Sequence, residues 1–95
     1  MSIQNQEKTV NGKDLRIQTY GDNPNTYVNG ESFARRLLAY SNVEMVKVFD
    51  KSNGTKLLIR SKENVKIRKK MLPDNYEIET VSVKDKNTYV WVREQ

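Results

Sequence analysis

The sequence predicts a single α+β domain: an antiparallel sheet of four or five strands with one or two helices on one face. Three observations point there. Segments of apolar/polar alternation recur along the 95 residues, separated by clusters of turn formers. One stretch, around Phe33 to Ser41, follows helical spacing instead. And the hairpin-like VKVFDKSNGTKLLIR, from Val46, has a shorter near-copy in VSVKDKNTYVWVR, from Val81.

Taken in order, residues 1–10 are polar and read as a flexible N-terminal tail, leaving residues 11–95 as the single domain. Asn11-Gly12 is a turn signal. Leu15, Ile17 and Thr19 alternate with polar neighbours, which predicts a strand. GDNPN breaks it. In TYVNGESFARRLLAYSN, Asn29 or Ser32 is a candidate helix cap, and Phe33, Ala34, Leu37, Leu38 and Ser41 share one helical face. The same stretch resembles the opening segment of phage antirepressor-type Bro-N domains in its strand-into-helix spacing. That resemblance covers only these residues and carries no function over.

Val43 to Asp50 and Thr55 to Arg60 read as paired strands around KSNG, with Gly54 suited to a positive φ. Tyr76 to Lys84 and Thr88 to Arg93 read as a second hairpin, turning at Asp85-Lys86-Asn87. Val46, Val48, Asp50, Lys51, Thr55 and Arg60 recur as Val81, Val83, Asp85, Lys86, Thr88 and Arg93, and Arg35-Arg36-Leu37-Leu38 is echoed by Lys69-Lys70-Met71-Leu72. Helix–hairpin written twice gives a ferredoxin-like β-α-β-β-α-β order plus a C-terminal strand. This requires a second helix over Lys62 to Leu72, with Ser61 as cap and Pro73 as stop. The alternative makes Lys62 to Met71 a strand. The expected core is Leu15, Ile17, Phe33, Leu37, Leu38, Val46, Val48, Leu57, Ile59, Val81, Val83, Val90 and Val92.

Composition narrows the function. Cysteine and histidine are both absent, which removes disulfides, thiolate metal sites and the commonest general base. Acidic residues are scattered and no phosphate-binding glycine loop occurs. The expectation is a non-enzyme with no catalytic residues, no cofactor and no metal. No apolar run suits a membrane span, no signal peptide opens the chain, and a cytoplasmic location is the default.

The net charge of +5 is concentrated. Lys56, Arg60, Lys62, Lys66, Arg68, Lys69 and Lys70, against Glu63 alone, put +6 in fifteen consecutive residues, and the remainder carries −1. Whether Lys62 to Met71 is helix or strand, it shows a basic face opposite an apolar one. Phosphates are the natural partners of such a face. If the valines of the last strand face the helices, Tyr89, Trp91 and Arg93 face outward, joined by Lys56 and Arg60. Aromatics interleaved with cations suit base stacking with phosphate contacts.

The leading expectation is therefore a small nucleic-acid-binding accessory protein of a phage or other mobile element. Lys62, Lys66, Arg68, Lys69 and Lys70 would meet phosphates, while Tyr89 and Trp91 stack. The alternative is a protein-interaction module or small inhibitor that docks its basic patch and Trp91 on an acidic surface of a larger host protein. Neither reading involves a membrane, and both leave room for a homodimer.

Overall fold

The computed structural model describes residues 3–20, 24–51, 54–62 and 66–95. Six strands form one sheet in the order β1-β2-β3-β4-β6-β5. They are β1 (Ile3–Val10), β2 (Lys13–Tyr20), β3 (Val43–Lys51), β4 (Gly54–Lys62), β5 (Tyr76–Lys84) and β6 (Asn87–Glu94). β2 and β3 run parallel, and every other neighbouring pair is antiparallel. A parallel pair needs a long crossover. Here it contains the helix α1 (Pro24–Leu38), which lies across β2, β3 and β4.

Local chemistry accounts for the elements. Asn11 and Gly12 take φ of 52° and 73°, the left-handed pair that a two-residue hairpin turn requires, and fold β1 onto β2. α1 opens on Pro24, whose ring presets helical φ where no amide partner is needed. At its other end the Lys13 ammonium, reaching up from β2, donates to the carbonyls of Leu38 (3.0 Å) and Tyr40. It thereby satisfies the Leu38 carbonyl left free at the helix terminus, complements the helix dipole, and shares the Tyr40 carbonyl with the Val43 amide. Glu31 ties the helix to β1, accepting from Lys8 and Arg35 at 3.0 Å each, and these two cations hold its carboxyl below the usual range. Asn29 and Ser32 lie inside the helix, so neither is the expected cap, and the Thr26–Val28 portion of the Bro-N-like stretch is helical rather than strand.

The core lies between the sheet and α1. Leu15, Ile17, Val46, Val48, Leu57, Ile59, Val90 and Val92 face Ala34, Leu37 and Leu38. Gly30 allows the close approach: a Cβ there would sit 2.6 Å from Val48 Cγ1.

Two bulges shape the sheet, one between Val43 and Met45 and one between Ile78 and Thr80. Each inserts a glutamate, Glu44 or Glu79, at matching positions of the two hairpins. The hairpins meet where β4 pairs with β6, and Leu58 is opposite Trp91. These two residues correspond in the sequence repeat. The hairpins β3–β4 and β6–β5 are thus related by an approximate two-fold axis through that pair. The second hairpin turns at Asp85-Lys86, both at positive φ, two residues earlier than the first. A shift of two preserves which side chains face the core.

The ferredoxin-like expectation is wrong. The sheet is mixed and six-stranded, and only one α-helix is present among the described residues. A strand, β1, stands where a loose tail was expected. Residues 66–68 are irregular and Lys69–Met71 form a single 3-10 turn, so the segment is neither the expected helix nor the alternative strand. Residues 63–65 lie outside the described residues, as do Ser52 and Asn53 of the KSNG loop.

Connection length explains the missing helix. Thirteen residues join β4 to β5, against twenty-two between β2 and β3. The shorter link must cross β6 and run back the length of a nine-residue strand, roughly 25–30 Å at about 3.3 Å per residue. Thirteen helical residues reach only about 20 Å. Extended chain wins, and it buries Ile67, Met71 and Leu72 where a helix would have packed.

The core changes accordingly. Val81 and Val83, expected inside, are 58% and 69% exposed, because nothing among the described residues covers β5 beyond its first residues. Ala34, Val43, Ile67, Met71, Leu72 and Tyr76 are buried instead. Tyr76 meets the partly buried Phe33 edge-on at 5.2 Å.

Gly30→Ala tests the helix–sheet contact. Helix propensity alone favours alanine by about 1 kcal/mol, but forcing a methyl onto the buried, rotamer-restricted Val48 costs roughly 1–3 kcal/mol. Urea denaturation should show a net loss of stability, and a gain would mean that helix and sheet are further apart than described.

Candidate nucleic-acid interface

Strand alternation sends every second side chain of the sheet away from α1. On β4 these are Lys56, Leu58, Arg60 and Lys62; on β6 they are Tyr89, Trp91 and Arg93. The register sets Lys56 opposite Arg93, Leu58 opposite Trp91 and Arg60 opposite Tyr89. β3 adds Met45, Lys47 and Phe49, opposite Arg60, Leu58 and Lys56 in turn. No helix among the described residues lies on this face, and its central side chains are half-buried against one another.

At its centre the rings of Phe49 and Trp91 stand 5.3 Å apart at 36°, within the range of attractive offset pairs. Lys47, Lys56, Arg60 and Arg93 surround them. A depression of about 450 Å³ is lined on the β1–β3 side by Glu7, Arg16, Met45, Lys47 and Arg60, among others.

The bulges set the electrostatics. By adding a residue, each directs a glutamate to the open side. Glu79 holds Lys56 at 3.3 Å, and Glu44 approaches Arg60 Nε to 3.6 Å. The second distance suits Coulomb attraction but not a hydrogen bond, and Arg60 Nε has no hydrogen-bond partner among the described residues. On the β1 side Glu7 pairs with Arg16 at 2.6 Å. These pairs are partly exposed, so each is worth at most about 1 kcal/mol. Lys47 and Arg93 form no ion pair among the described residues.

The two groups of expected site residues separate. Lys56, Arg60, Lys62, Tyr89, Trp91 and Arg93 share the open face. Lys66, Arg68, Lys69 and Lys70 do not. They are exposed on the link between β4 and β5, whose Ile67, Met71 and Leu72 enter the core on the helix side. The sheet therefore stands between the lysine-rich segment and Trp91. Sequence reasoning missed Phe49 and Lys47, although the same alternation that buries Val46 and Val48 turns both outward.

A second polar cluster sits inside one end of the helix-side layer. The Thr55 amide donates to Glu94 Oε2 at 3.0 Å. Burial first, then Glu94, pushes the Tyr76 hydroxyl up to about 12. Burial, with Glu94 second, raises the Asp50 carboxyl. Among the described residues no group of His, Cys, Asp and Glu side chains is arranged to hold a metal, and no helix is long and apolar enough to cross a membrane. The cluster reads as structural.

Asp50 gives a signed test. Its folded pKa lies above the unfolded one, so folding favours the protonated form, and the charged form is a penalty that grows as pH rises through the folded value. Asp50→Asn should stabilise the protein at neutral pH. The gain should shrink as pH falls into the ordinary carboxylate range, followed by thermal unfolding across pH. A substitution that destabilises equally at both ends would show that the carboxylate itself is needed. Comparison with protein-family models, curated proteins and solved structures found no match for this chain.

Proposed function

We propose that the open face of the sheet binds single-stranded nucleic acid, with Trp91, Phe49 and Tyr89 stacking on bases and Lys47, Lys56, Arg60, Lys62 and Arg93 holding phosphates. The observation that carries the reading is the partly exposed Phe49–Trp91 pair at the centre of a sheet face that no helix among the described residues covers, bordered by cations on the same and neighbouring strands. Stacking platforms between basic residues are how sheet surfaces hold unpaired strands with little sequence preference. A duplex hides its base faces, so a single strand suits this surface better. The lysine-rich link contributes at longer range, raising the potential around the molecule rather than touching the same ligand.

The runner-up is docking of the same face on another protein, with Trp91 as anchor. What favours it is that Lys56, Arg60 and Arg16 each have a glutamate beside them, which lowers the face's net charge. A DNA mimic is not among the options, because the chain is basic.

Mobility-shift titrations of single- and double-stranded DNA and RNA at two salt concentrations separate the readings. Single strands should bind at micromolar protein, with log K falling against log salt by about 0.7 per phosphate contact. Trp91→Ala should weaken binding by about 1–3 kcal/mol. Lys69→Gln with Lys70→Gln should weaken it less and uniformly across sequences. Absence of salt-sensitive binding would overturn the proposal, and loss of a specific co-purifying protein in Trp91→Ala would favour the runner-up.

A further inference from the structure

β5 is an edge strand, exposed from Glu77 to Lys84. On its helix side it carries Ile78, Val81 and Val83, which are 40%, 58% and 69% exposed. They pair across to Val92, Val90 and Thr88, so they extend the floor of the core beyond its cover. The opposite edge, β1, is unlike it: Asn5, Gln6, Glu7, Lys8 and Thr9 are polar and exposed. Edge strands are normally blunted by proline or by charges pointing inward. β5 has no proline, and its helix-side positions from Ile78 to Val83 carry no charge.

We propose that β5 pairs antiparallel with β5 of a second copy of this chain, about a two-fold axis at Val81. The proposal is independent of the nucleic-acid reading. What selects a second copy is that the strand is complementary to itself. With Val81 opposite Val81, the bulge residues Glu79 and Thr80 of one copy stand together opposite Ser82 of the other. The register survives the bulge, as it does against β6, where Thr80 is opposite Trp91 and Val81 opposite Val90. Ile78 then meets Val83 of the second copy, and vice versa, closing an apolar stripe on the helix side. On the open side Glu77 meets Lys84 twice over. Neither residue has an ion-pair partner among the described residues of its own chain. An isologous contact requires this kind of self-match, and both the apolar and the charged positions supply it. The sheet would continue across both copies, with both open faces on one side.

Sedimentation equilibrium of the full chain, from micromolar to submillimolar concentration, tests the proposal. The expected result is a concentration-dependent shift from one chain mass to two. Val81→Lys should leave a monomer. Lys84→Glu sets like charges opposite each other at two symmetric places and should weaken the dimer about tenfold. Adding Glu77→Lys to Lys84→Glu should restore it, since the pair is then reversed but intact. All of these positions are exposed, and unchanged circular dichroism confirms that the fold survives. A monomer at every concentration overturns the proposal, and so does a dimer indifferent to Val81→Lys and Lys84→Glu.

Discussion

The pairing of β4 with β6 is the constraint on which the rest depends. It joins two hairpins that are distant in sequence and fixes them about Leu58 and Trp91. Because the pairing is centred on corresponding residues, the buried rows Leu57–Ile59 and Val90–Val92 become continuous with each other. The same register makes Lys56, Leu58, Arg60, Tyr89, Trp91 and Arg93 one surface. A slip of one residue would exchange the two faces. Core and open face are therefore a single choice seen from two sides.

That choice also leaves the molecule asymmetric in its layers. α1 covers β2, β3 and β4, and the extended link covers part of the remainder. The approximate two-fold relation holds within the sheet and stops at the covering layer, because one connection is long enough for a helix and the other is not. Leu37-Leu38 and Met71-Leu72 nevertheless do the same work, each burying an apolar pair ahead of a bulged strand. The unequal cover accounts for the exposed valines of β5.

Much of this was legible from residues alone. Alternation in the two hairpins placed Lys56, Arg60, Tyr89, Trp91 and Arg93 together on one side, though not Lys62, and the near-copy anticipated the equivalence of the two strands. The bulges were not visible, since VEMV and IETV read as ordinary strand. β1 was missed because IQNQEKTV is polar on both faces, and its strand character comes from pairing with β2 through the Asn11-Gly12 turn. The second helix was a misreading of the repeat: a cap at Ser61, a stop at Pro73 and the parallel with the first helix–hairpin do not make a helix when the connection lacks the length. The fifteen residues between the strand signals Thr55 to Arg60 and Tyr76 to Lys84 could have been counted beforehand, and as helix they too fall short of the span at about 1.5 Å each. The separation of the Lys66–Lys70 cations from Trp91 does not depend on that error, since a link that buries Ile67, Met71 and Leu72 on the valine side lies across the sheet from Trp91 whether it is helical or extended.

The central claim is that the open face, and not the lysine-rich link, is the recognition surface. Amide chemical-shift mapping during titration with a short single-stranded oligonucleotide tests it directly. The account predicts the largest shifts at Lys47, Phe49, Leu58, Arg60, Tyr89 and Trp91, including the Trp91 indole N–H. Shifts confined to Lys66 through Lys70, with the open face silent, would contradict it.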